Sequence, residues 1–239
     1  MICTLTIVKY PRYYAWAGIL SMALFRWPLL WFRDVCFWKL MGCGKGGSFS
    51  LQPDWQQWAI LTITQRTDSY PINAQIYQLP HLPKWIVRYL RWFKTETTVY
   101  QLVPIEGHGL WDGKAVFGQL PKDSGYDGVI AVLTRATIRI SKLHRFWQHV
   151  QGVAKQMNGA EGFITSVGIG EVPFVKQATF SVWENKSSLK QFAYKMHEHT
   201  AVIQKTRKEK WYSEDMFVRF RLLNVSTSNN TTNPLLGKL

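Results

Sequence analysis

The sequence predicts an α+β protein: two fused ferredoxin-like (βαββαβ) modules forming a dimeric α+β-barrel-like arrangement within one chain. Three observations predict it. Over residues 128–225 the hydrophobic period switches between two and 3.6 in the order βαββαβ. The same order can be traced through the first half. A local match joins the halves: Phe37 is followed five residues later by Gly42-Cys43-Gly44, and Phe163 five residues later by Gly168-Ile169-Gly170.

In the first half, Cys3–Lys9 reads as a strand, Tyr14–Leu24 as a helix and Cys36–Gly42 as a strand. Trp58–Thr64 is a further strand, Leu82–Phe93 a helix and Thr97–Ile105 the closing strand. In the second half, Gly128–Ile140 is β-branched and apolar, as a strand requires. From Ser141 the spacing of Leu143, Phe146, Trp147, Val150, Val153, Ala154 and Met157 is that of an amphipathic helix, ended by Asn158-Gly159. Phe163–Gly170 returns to strand character. Phe174–Trp183 alternates, with Ala178, Phe180 and Val182 on one face and Gln177, Thr179 and Ser181 on the other. Ser188-x-x-Gln191 has the form of a capping box opening a second helix that runs to about Thr206. Met216–Val225 alternates again as the last strand. Both GxG elements fall at the end of a second strand and are read as turn glycines. A strand rather than a helix follows each, which excludes a phosphate cradle.

These elements divide the chain into a first module at 1–112, a linker at 113–127, a second module at 128–225 and a polar, disordered tail at 226–239.

Composition narrows the function classes. The chain has 239 residues, 46% hydrophobic, enough to build a sizeable core and too apolar for wholesale disorder. Lys and Arg number 29 against 15 Asp and Glu, an excess that favours an anionic neighbour. The basic residues are dispersed apart from Lys205–Lys210 and no RNP-type signature accompanies them, so nucleic acid is not the expected partner. Three cysteines without CxxC spacing read as reduced thiols of a cytosolic protein. The apolar run Ala15–Trp31 carries Arg26 and Pro28 and is short for a span of about 20 residues. It reads as a buried or interfacial helix. Aromatics reach 15%, with 12 Trp. Phe25–Trp38 and Trp85–Phe93 suit either a core or a peripheral contact with an anionic lipid interface.

Recognisable hydrolytic chemistry is absent: no Ser-His-Asp spacing, HExxH or zinc-finger pattern occurs. His81, His108, His144 and His149 read as surface histidines. His197 and His199 lie on the second helix of the second module, whose inward stripe is Leu189, Phe192, Ala193, Met196, Thr200 and Ile203. At about 100° per residue His199 falls nearer that stripe than His197. The i, i+2 spacing keeps the two from binding one metal together. His199 is then either a buried, hydrogen-bonded histidine or a single axial ligand, which suits haem better than zinc.

Five blocks, in order, carry a resemblance. They are Phe37-Trp38-Lys39-Leu40 with Gly42-Cys43-Gly44; Leu133-Thr134-Arg135-Ala136-Thr137-Ile138-Arg139; Val167-Gly168-Ile169-Gly170-Glu171-Val172-Pro173; Thr179-Phe180-Ser181-Val182-Trp183; and Phe217-Val218-Arg219-Phe220-Arg221. Together they resemble the spheroidene monooxygenase family of carotenoid biosynthesis. The resemblance implies a b-type haem, O2 and an external electron donor such as a ferredoxin, with oxygen added at a terminal position of an acyclic carotenoid. It implies His199, after Phe192-Ala193, as the iron ligand. Where the family carries Gly-Pro before that histidine, this chain has His197-Glu198, which makes His197 a competitor. Arg135 is the candidate catalytic residue, to pair with a propionate or polarise bound oxygen; an ion pair with Glu171 accounts for it equally well. Lys39 is a further candidate for a propionate. Glu171 belongs to the same cofactor-binding set or caps a turn, and Thr134 and Ser166 are candidates for the distal side. A cofactor-free oxygenase or a haem dehydratase on the same fold, and an apolar-ligand or haem carrier without turnover, are the competing readings. The oligomeric state stays open.

Overall fold

The structure is a computed structural model and describes residues 1–47, 52–65, 79, 81–198 and 211–228. The chain forms two compact units. One comprises Met1–Cys43, Asp54–Val103 and Leu222–Leu239, the other Gly44–Pro53 and Pro104–Arg221. The fold is α+β, with antiparallel strand pairing in each unit.

The first unit runs β1 (Ile2–Lys9), α1 (Ala15–Leu24), α2 (Arg26–Leu30), β2 (Phe37–Gly44), β3 (Pro53–Thr64), α3 (Lys84–Trp92) and β4 (Glu96–Gly109). Its strands lie in the order β2-β3-β1-β4. The central β1 places Val8 opposite Trp58 and Thr97, and Thr6 opposite Ile60 and Val99. Val8, Ile60 and Val99 share a core with Ala17, Phe25 and Leu29 of the first helical stretch and Ile86 and Leu90 of α3. Each such aliphatic side chain contributes about 1.5–3 kcal/mol on full burial. The helices approach closely because α1 turns small residues inward: Ala17, Gly18 and Ser21 are its buried positions. A Cβ on Gly18 would stand 2.3 Å from the Trp58 indole nitrogen, so no larger residue fits at this contact.

The second unit continues with β5 (Ile130–Ile138), α4 (Leu143–Asn158), β6 (Phe163–Val172), β7 (Lys176–Trp183), α5 (Lys186–Glu198) and β8 (Tyr212–Thr227). The strand order is β6-β7-β5-β8, so each unit sets its fourth strand beside its first and its third beside its second. Ile130, Val132 and Trp183 pack with Met157 of α4 and Leu189 of α5, while Phe146 and Trp147 of α4 pack with Ile138 and Trp211. Residues 113–127 belong to this unit, and Phe117 among them is buried.

Three expectations change. The box at Ser188 is not the helix start: α5 begins at Lys186, and the Asn185 side-chain oxygen accepts the Ser188 backbone N–H at 2.8 Å. Asn185 is the better cap because its amide reaches the third N–H of the first turn. On the same helix Ala193 is exposed; among its described side chains Lys186 and Leu189 are the buried ones and Phe192 packs against the core. The glycines of the GxG elements are not turn glycines. Gly42, Gly168 and Gly170 sit within β2 and β6 and are not among the glycines with positive φ. At Gly170 the reason is space: a Cβ there would come within 2.9 Å of the Gln177 side chain.

Candidate functional site

The central strand of the second unit has two unlike faces. Register places Thr134 opposite Thr179 on β7 and Phe217 on β8, and Thr179 opposite Gly168 on β6. Strand alternation puts these residues on the same face as Ile130, Val132 and Trp183, the face that packs against α4 and α5. Thr134 is nevertheless exposed, although Leu133 and Arg135 on either side of it are each only 1% exposed. A solvent-open residue in the middle of a central strand marks a recess in the helix layer. Its floor is low, because Ser166, Gly168, Thr179 and Ser181 are all small.

The floor has unsatisfied polar atoms. Ser181 Oγ accepts the Trp183 indole N–H at 3.0 Å, but Thr179 Oγ1 is buried with no hydrogen-bond partner among the described residues. Arg219, opposite Val132, lies on this same face. Its guanidinium stands 4.9 Å from the Phe217 ring centre and its Nη1 donates to Glu106 Oε1, while its buried Nε–H finds no acceptor among the described residues. A buried guanidinium N–H left open on the face that exposes Thr134 suits an anionic ligand group.

Arg135 faces the other way. Its Nε donates to Glu171 Oε1 at 3.1 Å, Nη1 to Glu214 Oε1 at 2.5 Å and Nη2 to Asp112 Oδ1 at 2.9 Å. The Trp111 indole N–H also donates to Glu171 at 2.8 Å, and the guanidinium lies 5.2 Å from the Trp111 ring centre. Lys176 reaches Asp112 at 2.7 Å. Burial pushes the Glu214 carboxyl up, but the backbone N–H groups of Gly113 and Asp112 and the Arg135 guanidinium outweigh it and hold its pKa below the ordinary value. Arg135 and Glu171 are thus brought together, in a buried ion-pair cluster that ties the 111–114 turn to β5, β6 and β8.

A second cluster anchors the start of α5. Lys186 Nζ donates to Glu106 Oε2 and Asp123 Oδ1, each at 2.7 Å, and Ser124 gives Glu106 a backbone N–H at 2.8 Å. Burial alone would lower the Lys186 pKa; the hydrogen bonds to Asp123 and Glu106 raise it instead. Asp123 is held at about 2, chiefly by Lys186 and then by the Gly125 N–H. Neither Lys186 nor Arg219 was singled out by the sequence pattern. The available signal was the acid Glu106 directly after the stretch Leu102–Ile105 of β4, which carries no charge.

Of the other predicted residues, Lys39 lies half-buried on β2 in the first unit, with Nζ 5.6 Å from the Phe37 ring centre. His199 lies outside the described residues. His108 and His144 are exposed, as expected for surface histidines. His81 is not a surface residue: it is 1% exposed, with Nε2 hydrogen-bonded to Thr6 Oγ1 at 2.8 Å. Its flanks explain this, since Leu79 and Leu82 both enter the first unit's core and carry the histidine inward. Burial pushes its pKa down to about 3, so it is neutral at physiological pH. Among the described residues no group of three or more His, Cys, Asp or Glu is arranged to hold a metal ion, and no helix is long and apolar enough to cross a membrane.

No family model matches the chain. It is 33% identical over 226 residues to the spheroidene monooxygenase of Rhodobacter capsulatus, covering 92% of this chain and 89% of that protein. The chain belongs to the spheroidene monooxygenase family. The spheroidene monooxygenase of Rubrivivax gelatinosus is 32% identical over 198 residues, 83% of this chain and 73% of the relative. Among solved structures, an aldoxime dehydratase in complex with butyraldoxime aligns with 99% of this chain and 84% of its own, at a TM-score of 0.56 and 9% identity. That likeness is one of fold alone. Within the family framework, Thr134 and Gly168 fall in two of the blocks that carried the resemblance, and Arg219 in a third.

Proposed function

We propose that the protein is a haem-dependent monooxygenase that uses O2 and electrons from an external donor, such as a ferredoxin, to oxygenate a terminal position of an acyclic carotenoid. The reading rests on the family relationship, which extends over 92% of the chain. The exposed Thr134 on an otherwise buried central strand supports assigning the chemistry to this face. Each four-stranded unit is read as a ferredoxin-like module, so that one chain supplies what a dimeric α+β barrel draws from two.

The residues fit a haem in kind. The residues at 134, 166, 168 and 179 are small, as a flat ring lying on this face would require, and Arg219 Nε offers a buried N–H of the right charge for a propionate. Arg219 is preferred to Arg135 for that role because all three Arg135 nitrogens are held by carboxylates. His199, seven residues or two helical turns beyond Phe192 in the sequence, is the proposed iron ligand, with His197 as its competitor. Bound haem supplies the activation of O2. The chain's own part is to ligate, to neutralise the propionate and to present the carotenoid's end to a floor of small residues.

The test is the ultraviolet–visible spectrum of protein expressed with haem supply, wild type beside His199→Ala. A Soret band that shifts on dithionite and carbon monoxide and vanishes in the variant is the expected result, followed by oxygenation of an acyclic carotenoid with a reductant and O2. A wild-type protein that stays colourless after haem titration overturns the haem reading. An unchanged Soret band in the variant overturns the His199 assignment.

A further inference from the structure

The helices of the first unit are amphipathic in an inverted sense. The inward face of α1 is made of small residues, Ala17, Gly18 and Ser21, while its large ones point out: Trp16 is 56% exposed and Ile19 and Leu20 are close to half exposed. The stripe continues through α2, where Trp27 is 68%, Leu30 66% and Trp31 79% exposed. α3 repeats the pattern more conventionally, with Ile86 and Leu90 inward and Trp85 and Trp92 outward beside the exposed Lys84 and Arg88. The helices lie side by side: Trp16 packs edge-on against Phe93 at 5.6 Å, Phe25 against Trp85 at 6.1 Å, and the Tyr89 hydroxyl donates to the Ala17 carbonyl at 2.8 Å. Five outward tryptophans therefore share one helical layer, an apolar area of roughly several hundred Å2, more than soluble monomers usually leave bare.

Charge names the occupant. Residues 10–33 and 83–94 contain seven Arg and Lys and no Asp or Glu. A second copy of this chain would set like charges against each other. A bilayer with anionic headgroups instead satisfies both features: indole rings settle at the headgroup level and the cations meet lipid phosphates. We propose that the outward face of α1, α2 and α3 seats this protein peripherally on an anionic lipid bilayer. The inference stands apart from the reaction proposed above, because it uses no residue of the Thr134 recess and holds for any activity.

The test is co-sedimentation of the full chain with vesicles of phosphatidylcholine alone or with about one-third phosphatidylglycerol. Binding to the anionic vesicles, at least about tenfold tighter than to neutral ones, is expected. Arg26→Gln with Arg88→Gln should weaken anionic binding by about thirtyfold while leaving the thermal midpoint in place. Trp27→Ser with Trp31→Ser should weaken binding to both vesicle types. Wild-type protein that stays in the supernatant with anionic vesicles overturns the proposal, as does binding that neither variant changes. Self-association in sedimentation velocity that the tryptophan variant abolishes, without vesicle binding, assigns the face to a second copy and likewise overturns it. Haem content and turnover are read separately, so failure here leaves the oxygenase reading standing.

Discussion

Thr134 and Arg135 are neighbours on β5 whose side chains live in opposite environments. Thr134 opens to solvent on the helix-side face, whereas Arg135, 1% exposed, is gripped by Glu171, Glu214 and Asp112 behind it. One residue borders the recess; the other holds the strand that forms its floor.

Substitution should separate these roles. Arg135→Gln leaves buried carboxylates without their cation and should cost about 3–5 kcal/mol in urea unfolding. Thr134→Phe fills open space, should change stability by less than about 1 kcal/mol, and should block ligand binding in a haem or carotenoid titration. Equal stability losses in both variants would sink the two-face account.

The α5 anchor should behave as a unit. Glu106→Gln strands Lys186 and Arg219 and should cost about 3 kcal/mol or more, with faster amide exchange at the start of α5. Adding Lys186→Met should cost clearly less than the sum of the two single changes, because the pair is then removed together. Strict additivity would show that the contact carries little coupling.

Stability should fall on acidification in two stages. His81 is held at about 3 against an ordinary 6.5, so the unfolded chain takes up that proton first and stability declines as the pH drops below 6.5. The slope from this group is at most about 1.4 kcal/mol per pH unit. Below 4.5, Glu106 and Glu214, whose folded pKa values are lowered, add to the loss as they take up protons. In His81→Gln the decline between pH 6.5 and 4.5 should flatten while the lower stage persists. Urea midpoints measured across that range decide it.

Gly18→Ala should destabilise by about 1–3 kcal/mol, since its methyl group meets the Trp58 indole at 2.3 Å and displaces the helix or the ring. A lower thermal midpoint with shifted tryptophan emission is the expected signature; an unchanged midpoint would mean that the helix seats loosely.

Much of this fold is legible in residue order. The helical spacing of Phe146 and Trp147 registers the buried face of α4, whereas the alternation around Phe180 separates the two faces of β7 without revealing that both are buried, Thr179 and Ser181 included. The start of α5 is not legible, because Asn185 and Ser188 are both good caps and only the tertiary position of Lys186, drawn in by Glu106, decides between them. Hydrogen-bond networks escape such reading for the same reason: Arg135 meets Asp112 and Glu214 across 23 and 79 residues of sequence. Thr134 and Ser166 entered only as distal-side candidates implied by the resemblance, since exposure of Thr134 depends on what the helices above it leave uncovered. His81 does lie in a turn, as its sequence suggests, but the turn is buried because Leu79 and Leu82 on either side of it enter the core.

A strand gripped behind Arg135 and opened on its other face at the single residue Thr134 separates what can change from what must stay. Exchanges at Thr134, Ser166 or Thr179 alter the shape offered to a guest, while the grip behind Arg135 keeps the backbone where it was. A small combinatorial library at those positions would start from a frame already braced against it.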